Sequence, residues 1–145
     1  MKKEADVLKE ILDYLKKLGL ACYRSPNMPV LRGGVGNMYL SKAAVQGLPD
    51  ITGVIYGGRA IYIEVKAPKI PKLPFEMDEE ELQKYYERKA KCKDKDKERR
   101  EEQQSKFLSQ MKKAGALCLV ARSVDDVKRA LLEAGYFSDV DAPVH

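Results

Sequence analysis

Residues 47–68, "GLPDITGVIYGGRAIYIEVKAP", contain three side chains that sit oddly in a pair of core strands: Asp50, Glu64 and Lys66. Side chains alternate faces along a strand. Ile61, Ile63 and Val65 therefore share one side, while Tyr62, Glu64 and Lys66 share the other. That puts a carboxylate and an ammonium two strand steps apart, about 6 to 7 Å between Cα atoms. A lone Glu-x-Lys on a solvent-facing strand is commonplace; Asp50 gives this one its interest. If the hairpin loop is the three residues Tyr56, Gly57 and Gly58, Asp50 stands opposite Glu64 and both acids face the same side. A two-residue Gly57-Gly58 loop would instead pair Ile51 with Glu64 and send Asp50 to the opposite side. Hydrolytic chemistry needs the first register.

Two carboxylates this close repel, raising the proton affinity of one unless a cation fills the gap. A divalent ion removes that cost, and an all-oxygen ligand set suits Mg²⁺ or Mn²⁺ rather than Zn²⁺. Asp50 and Glu64 are the expected ligands, with the Val65 carbonyl as a further one. Such an ion acidifies a water and offsets the charge of a phosphorane-like transition state. Lys66 would either position and help deprotonate that water or hold the scissile phosphate by its charge.

Helices flank these strands. Val7, Leu8, Ile11, Leu12, Leu15 and Leu18 recur at helical spacing and Gly19 supplies a stop. At about 100° per residue, Glu4 points with this apolar arc toward the sheet, whereas Glu10 falls roughly 120° away. Glu4 can equally serve the helix N-terminus electrostatically. Gln104 falls in the stripe of Phe107, Leu108 and Met111, where its amide can hydrogen-bond a water, a phosphate oxygen or a sheet-edge backbone group. "LACYR" reads as a short strand, and "ALCLVA" as an apolar strand covered on both faces. Ser123 followed by Asp126 resembles a cap on a final helix ending at Gly135. The order helix, strand, strand, strand, helix, strand, helix predicts an α/β domain, a mixed central sheet with flanking helices.

Composition sets the outer bounds. The chain has 145 residues, 44% of them hydrophobic, enough for one domain spanning 1–145 and too few for two. Residues 69–102 read as a charged insertion: Pro68, Pro71 and Pro74 stop the preceding strand, and residues 76–102 have little to bury. No apolar run approaches the roughly 20 residues of a membrane span, and the N-terminus lacks a secretion signal. No membrane partner and a cytoplasmic location are expected. Cys22, Cys92 and Cys118 form no CxxC pair and the one histidine is His145, so neither a disulfide framework nor a structural zinc site is supported. The net charge of +5 permits a phosphate-rich partner. Tyr85, Tyr86, Arg32, Lys42, Lys106 and Arg122 are the candidate phosphate or base contacts. Gly33, Gly34 and Gly36 lack the following Lys-Ser/Thr of a phosphate loop.

The sequence resembles the VRR-Nuc branch of the PD-(D/E)xK nuclease superfamily. The likeness rests on "GLPDI", "YIEVKAP", "QSKF" with "KKAG", and "LVARSVDDV", in that order. The resemblance implies a restriction-endonuclease-like core, with Asp50 and Glu64 as metal ligands, Lys66 as the catalytic lysine and Gln104 as an accessory residue. An acid of the first helix completes the family site; Glu4 is the first choice and Glu10 the second. The resemblance further implies a Mg²⁺- or Mn²⁺-dependent endodeoxyribonuclease acting on branched or otherwise structured DNA. Some stand-alone phage and bacterial members look like dimeric four-way-junction enzymes, so a homodimer is an expectation too. The long charged insertion departs from the family pattern. The rival expectation is a nuclease-like DNA-binding or accessory module without turnover.

Overall fold

A computed structural model describes residues 2–25, 30–31, 38–39, 47–91 and 95–136. The elements in chain order are α1 (Glu4–Lys17), β1 (Ala21–Arg24), β2 (Val30–Leu31), β3 (Met38–Tyr39), β4 (Ile51–Ile55), β5 (Arg59–Val65), α2 (Glu79–Lys89), α3 (Lys95–Lys113), β6 (Leu117–Ala121) and α4 (Val124–Glu133). The candidate contacts Arg32 and Lys42, the glycines at 33, 34 and 36, and Cys92 and His145 lie outside the described residues.

Four strands form an open mixed sheet in the order β1-β4-β5-β6, and β2 and β3 form a separate two-residue ladder. β1, β4 and β5 run antiparallel in turn, while β6 lies parallel to β5. A parallel neighbour needs a crossover, and the chain from β5 to β6 supplies it through α2 and α3. Helices flank both faces. On one, Val7, Ile11 and Leu15 of α1 and Val127 and Leu131 of α4 bury Ile51, Ile61, Ile63, Val65, Leu119 and Ala121. On the other, Leu108 of α3 and Leu73 meet Val120, with Tyr62, Phe75 and Cys118 alongside. β6 thus sends alternate residues into two separate clusters, which accounts for its unbroken apolar sequence. Among the described residues, no helix is long and apolar enough to cross a membrane.

The hairpin takes the register that chemistry needs. Ile55 pairs with Arg59 and Ile51 with Ile63, leaving Tyr56, Gly57 and Gly58 as the loop. Both glycines have φ near +79°, a conformation that side-chain-bearing residues rarely adopt. One step before Ile51, Asp50 therefore comes level with Glu64.

The segment after β5 is more structured than its charge suggests. Arg122 donates to both carboxylate oxygens of Glu76, at 2.7 and 2.8 Å, and to the carbonyls of Ile70 and Pro71. This planar fork ties the strap 70–76 to the end of β6. Arg122 is therefore committed within the protein, a correction to its placement among the phosphate contacts. Tyr85, another of those candidates, is buried. The helix bearing Gln104 begins at Lys95, inside the charged stretch 69–102. The last eight residues of that stretch, 95–102, are the first turns of α3, which later residues anchor to the sheet.

Candidate metal centre

Glu64 stands at the middle of the site. It occupies the penultimate position of β5 and is only 2% exposed, since α3 covers the face to which its parity assigns it. Strand geometry leaves it no choice: its neighbours Ile63 and Val65 must enter the α1–α4 core, so Glu64 must enter the other side. Gln104 Nε2 donates to Glu64 Oε1 at 3.1 Å, and Lys66 Nζ lies 3.6 Å from that same oxygen, an ion-pair distance too long for a hydrogen bond. The second oxygen, Oε2, is buried and has no donor.

Asp50 approaches from the hairpin's other strand. Its Oδ2 accepts the Val65 N–H at 2.8 Å, and its own carbonyl accepts the Ser25 N–H at 2.8 Å. Lys66 N–H donates to Ala121 across the β6 side, so the alternating Val65 N–H points to the β4 side. The β4 ladder stops at Ile51, behind the buried Pro49, and the Asp50 carboxylate takes the position a backbone carbonyl would otherwise occupy. One side chain thus finishes the sheet and delivers an acid beside Glu64.

The consequence is electrostatic. The Glu64 carboxyl is pushed up to about 9 from an ordinary 4.5, first by burial and next by the Asp50 charge; Lys66 opposes this, and a hydrogen bond with Asp50 and the more distant Glu4 add to it. Two carboxylates are both acceptors, so only a shared proton or a cation can join them. The orphaned Glu64 Oε2 and the neighbouring Asp50 fit a hard divalent cation, with the Val65 carbonyl at the same strand end.

Glu4 is more peripheral. It begins α1, is exposed, and lines a hollow together with Asp50. Among the described residues no group of three or more His, Cys, Asp or Glu side chains comes close enough to hold a metal, so Glu4 does not close a three-acid cage with Asp50 and Glu64. Helix capping falls instead to Asp6, which accepts the Lys3 N–H at 3.1 Å. Glu10, the second choice, pairs with Lys2 at 3.1 Å.

Three residues that sequence reasoning did not single out also build this region. Gly47, φ +76°, lies so close to α3 that an added Cβ would be 2.4 Å from the Gln103 carbonyl oxygen and 2.8 Å from the Gln104 nitrogen. The turn leading to Asp50 is thereby pressed against the helix carrying Gln104. Ser105, buried beside Gln104, accepts the Phe75 N–H at 3.1 Å and so fixes α3 to the strap. Arg24 ends β1 opposite Ile51 and lines the hollow with Asp50 and Glu4. Only Arg24 carried a signal: alternation puts it on the face of Leu20 and Cys22, an odd place for a cation. Nothing matches this chain among family models, curated proteins or solved structures.

Proposed function

We propose that this protein is a metal-dependent endodeoxyribonuclease of restriction-endonuclease-like architecture, hydrolysing phosphodiester bonds in branched or otherwise structured DNA. The observation that carries the reading is the pairing of Asp50 with a buried Glu64 whose Oε2 has no donor, flanked by Lys66 and Gln104. A mixed sheet whose central hairpin presents both acids at one end gives the site a rigid base.

When bound, Mg²⁺ or Mn²⁺ on Asp50, Glu64 and the Val65 carbonyl supplies Lewis acidity toward phosphate oxygens and water. The chain's own groups do the rest. The Val65 N–H holds Asp50 in one orientation, and burial against α3 does the same for Glu64. Lys66, partly buried and, among the described residues, paired with Glu64 Oε1 at 3.6 Å, offers its ammonium to a phosphate oxygen or to the attacking water. With Nε2 engaged on Glu64, Gln104 has a buried Oε1 left to accept a hydrogen bond from that water and aim it in line with the leaving oxygen. Attack by water requires no covalent enzyme intermediate.

Cleavage of linear, flap and four-way DNA in Mg²⁺ and Mn²⁺ by the wild type, Lys66→Ala and Asp50→Asn tests this. Metal-dependent product from the wild type and its loss from both variants are expected. Equal product from all three, or salt-sensitive DNA binding with no product from the wild type, overturns it and leaves the non-catalytic module.

A further inference from the structure

Beside Asp50, between α1 and the end of β1, lies a hollow of about 540 Å³ lined by the bases Lys9 and Arg24, the acids Glu4, Asp13 and Asp50, and the apolar Leu8 and Leu12. Arg24 is placed there by the sheet. It pairs with Ile51, and the next residue's N–H bonds the Asp50 carbonyl at 2.8 Å, so two consecutive links of the ladder fix Arg24 relative to Asp50. On its strand face it follows Leu20 and Cys22, both packed with the α1 core, and so turns toward α1 at the point where that core ends.

The charges around this hollow do not meet one another. Acids and bases line one volume, yet neither Arg24 nor Lys9 has an ion pair or side-chain hydrogen bond among the described residues, and neither is joined to Glu4, Asp13 or Asp50. Three arginines elsewhere are engaged within the protein: Arg59 donates to the Gly115 carbonyl, Arg122 grips Glu76, and Arg129 pairs with Asp126. A guanidinium set on a strand end with its donor fork uncommitted matches a phosphate, which it can bind bidentately. Leu8 and Leu12 exclude water from one wall, strengthening such a contact.

We propose that Arg24, assisted by Lys9, is the anion-binding side of a subsite for the backbone phosphate adjoining the one at Asp50 and Glu64. The proposal rests on the nuclease reading and adds to it the residue that sets how the strand lies across the site. The ligand class is a polynucleotide phosphodiester, recognised by charge and fork geometry without reference to base sequence.

The test is fluorescence anisotropy of a labelled DNA duplex in EDTA across a KCl series, with parallel cleavage in Mg²⁺. Arg24→Ala is expected to weaken binding about five- to tenfold and to lower the slope of log K against log[KCl] by about one; Lys9→Ala does the same more weakly, and Arg24→Lys keeps the slope. Arg129→Ala, an exposed position on α4 that does not line the hollow, is the control and leaves both unchanged. Should Arg24→Ala melt early, Arg24→Gln and the exposed Lys9→Ala replace it. Wild type that binds but does not cleave, with the slope still lost in Arg24→Ala, supports the subsite while the nuclease reading falls. Cleavage by the wild type with Arg24 and Lys9 variants matching the control in slope and KM overturns the subsite and leaves the nuclease reading. Absence of DNA binding by the wild type at low salt overturns both.

Discussion

Replacing Glu64 by Gln should make the metal-free protein more stable at neutral and alkaline pH, even though it removes a central group. The Glu64 carboxyl is pushed up to about 9 from 4.5 by burial and by Asp50. Between those values the folded protein holds a proton that the unfolded chain has released. With fewer protons on the unfolded state, stability falls as pH rises through this window, and it levels off on either side. Each pH unit costs about 1.4 kcal/mol, so from pH 5 to pH 8 the wild type should lose on the order of 4 kcal/mol from this group alone. Glutamine does not titrate and keeps the oxygen that accepts from Gln104. The difference between wild type and Glu64→Gln should therefore grow by about that amount over the same range, worth roughly 10 °C in Tm for a chain of this size. Urea unfolding in EDTA at several pH values, both proteins side by side, reads it directly. Parallel curves would refute the reasoning, because they would mean that Glu64 titrates in the folded state as it does in the unfolded one.

Gly47→Ala should cost about 2–4 kcal/mol, since the new Cβ meets the Gln103 backbone at 2.4 Å and φ is +76°; chemical denaturation measures this, and a loss below about 0.5 kcal/mol would contradict the contact. Arg122→Ala leaves Glu76 half-buried without its fork, and a double-mutant cycle with Glu76→Ala should give a coupling above about 1 kcal/mol, against zero if the strap is held elsewhere. Ser105→Ala strands the Phe75 N–H and should cost about 1–2 kcal/mol while lowering cleavage more than its stability loss alone would, because it loosens the helix beside Gln104; an activity loss no greater than the folding loss would show Ser105 to be structural only.

The parts of this architecture governed by local rules could be read in advance. Period-3.6 stripes place α1 and α4, β-branched runs place β4 and β5, and the Ser123 hydroxyl caps α4 by accepting the Asp126 N–H. The site was legible as far as alternation carries: Glu64 and Lys66 share parity, and a three-residue loop brings Asp50 level with Glu64. The carboxylate of Asp50 bonding Val65 N–H was not legible, because it depends on the ladder stopping at Ile51, a tertiary event. Nor was the start of α3. Residues 95–102 have no apolar stripe to announce a helix; they are helical because the segment that follows is anchored on the sheet. Arg122 misled for a related reason. An arginine looks the same in sequence whether it awaits a phosphate or already grips a glutamate 46 residues away.

Calorimetric titration of Mn²⁺ into the wild type, Asp50→Asn and Glu64→Gln bears on the metal centre more directly than any activity assay. The account predicts saturable binding to the wild type, weakened at least about tenfold, or ~1.4 kcal/mol, by either change. Heat indistinguishable from dilution for the wild type, or equal affinity in all three proteins, would contradict it.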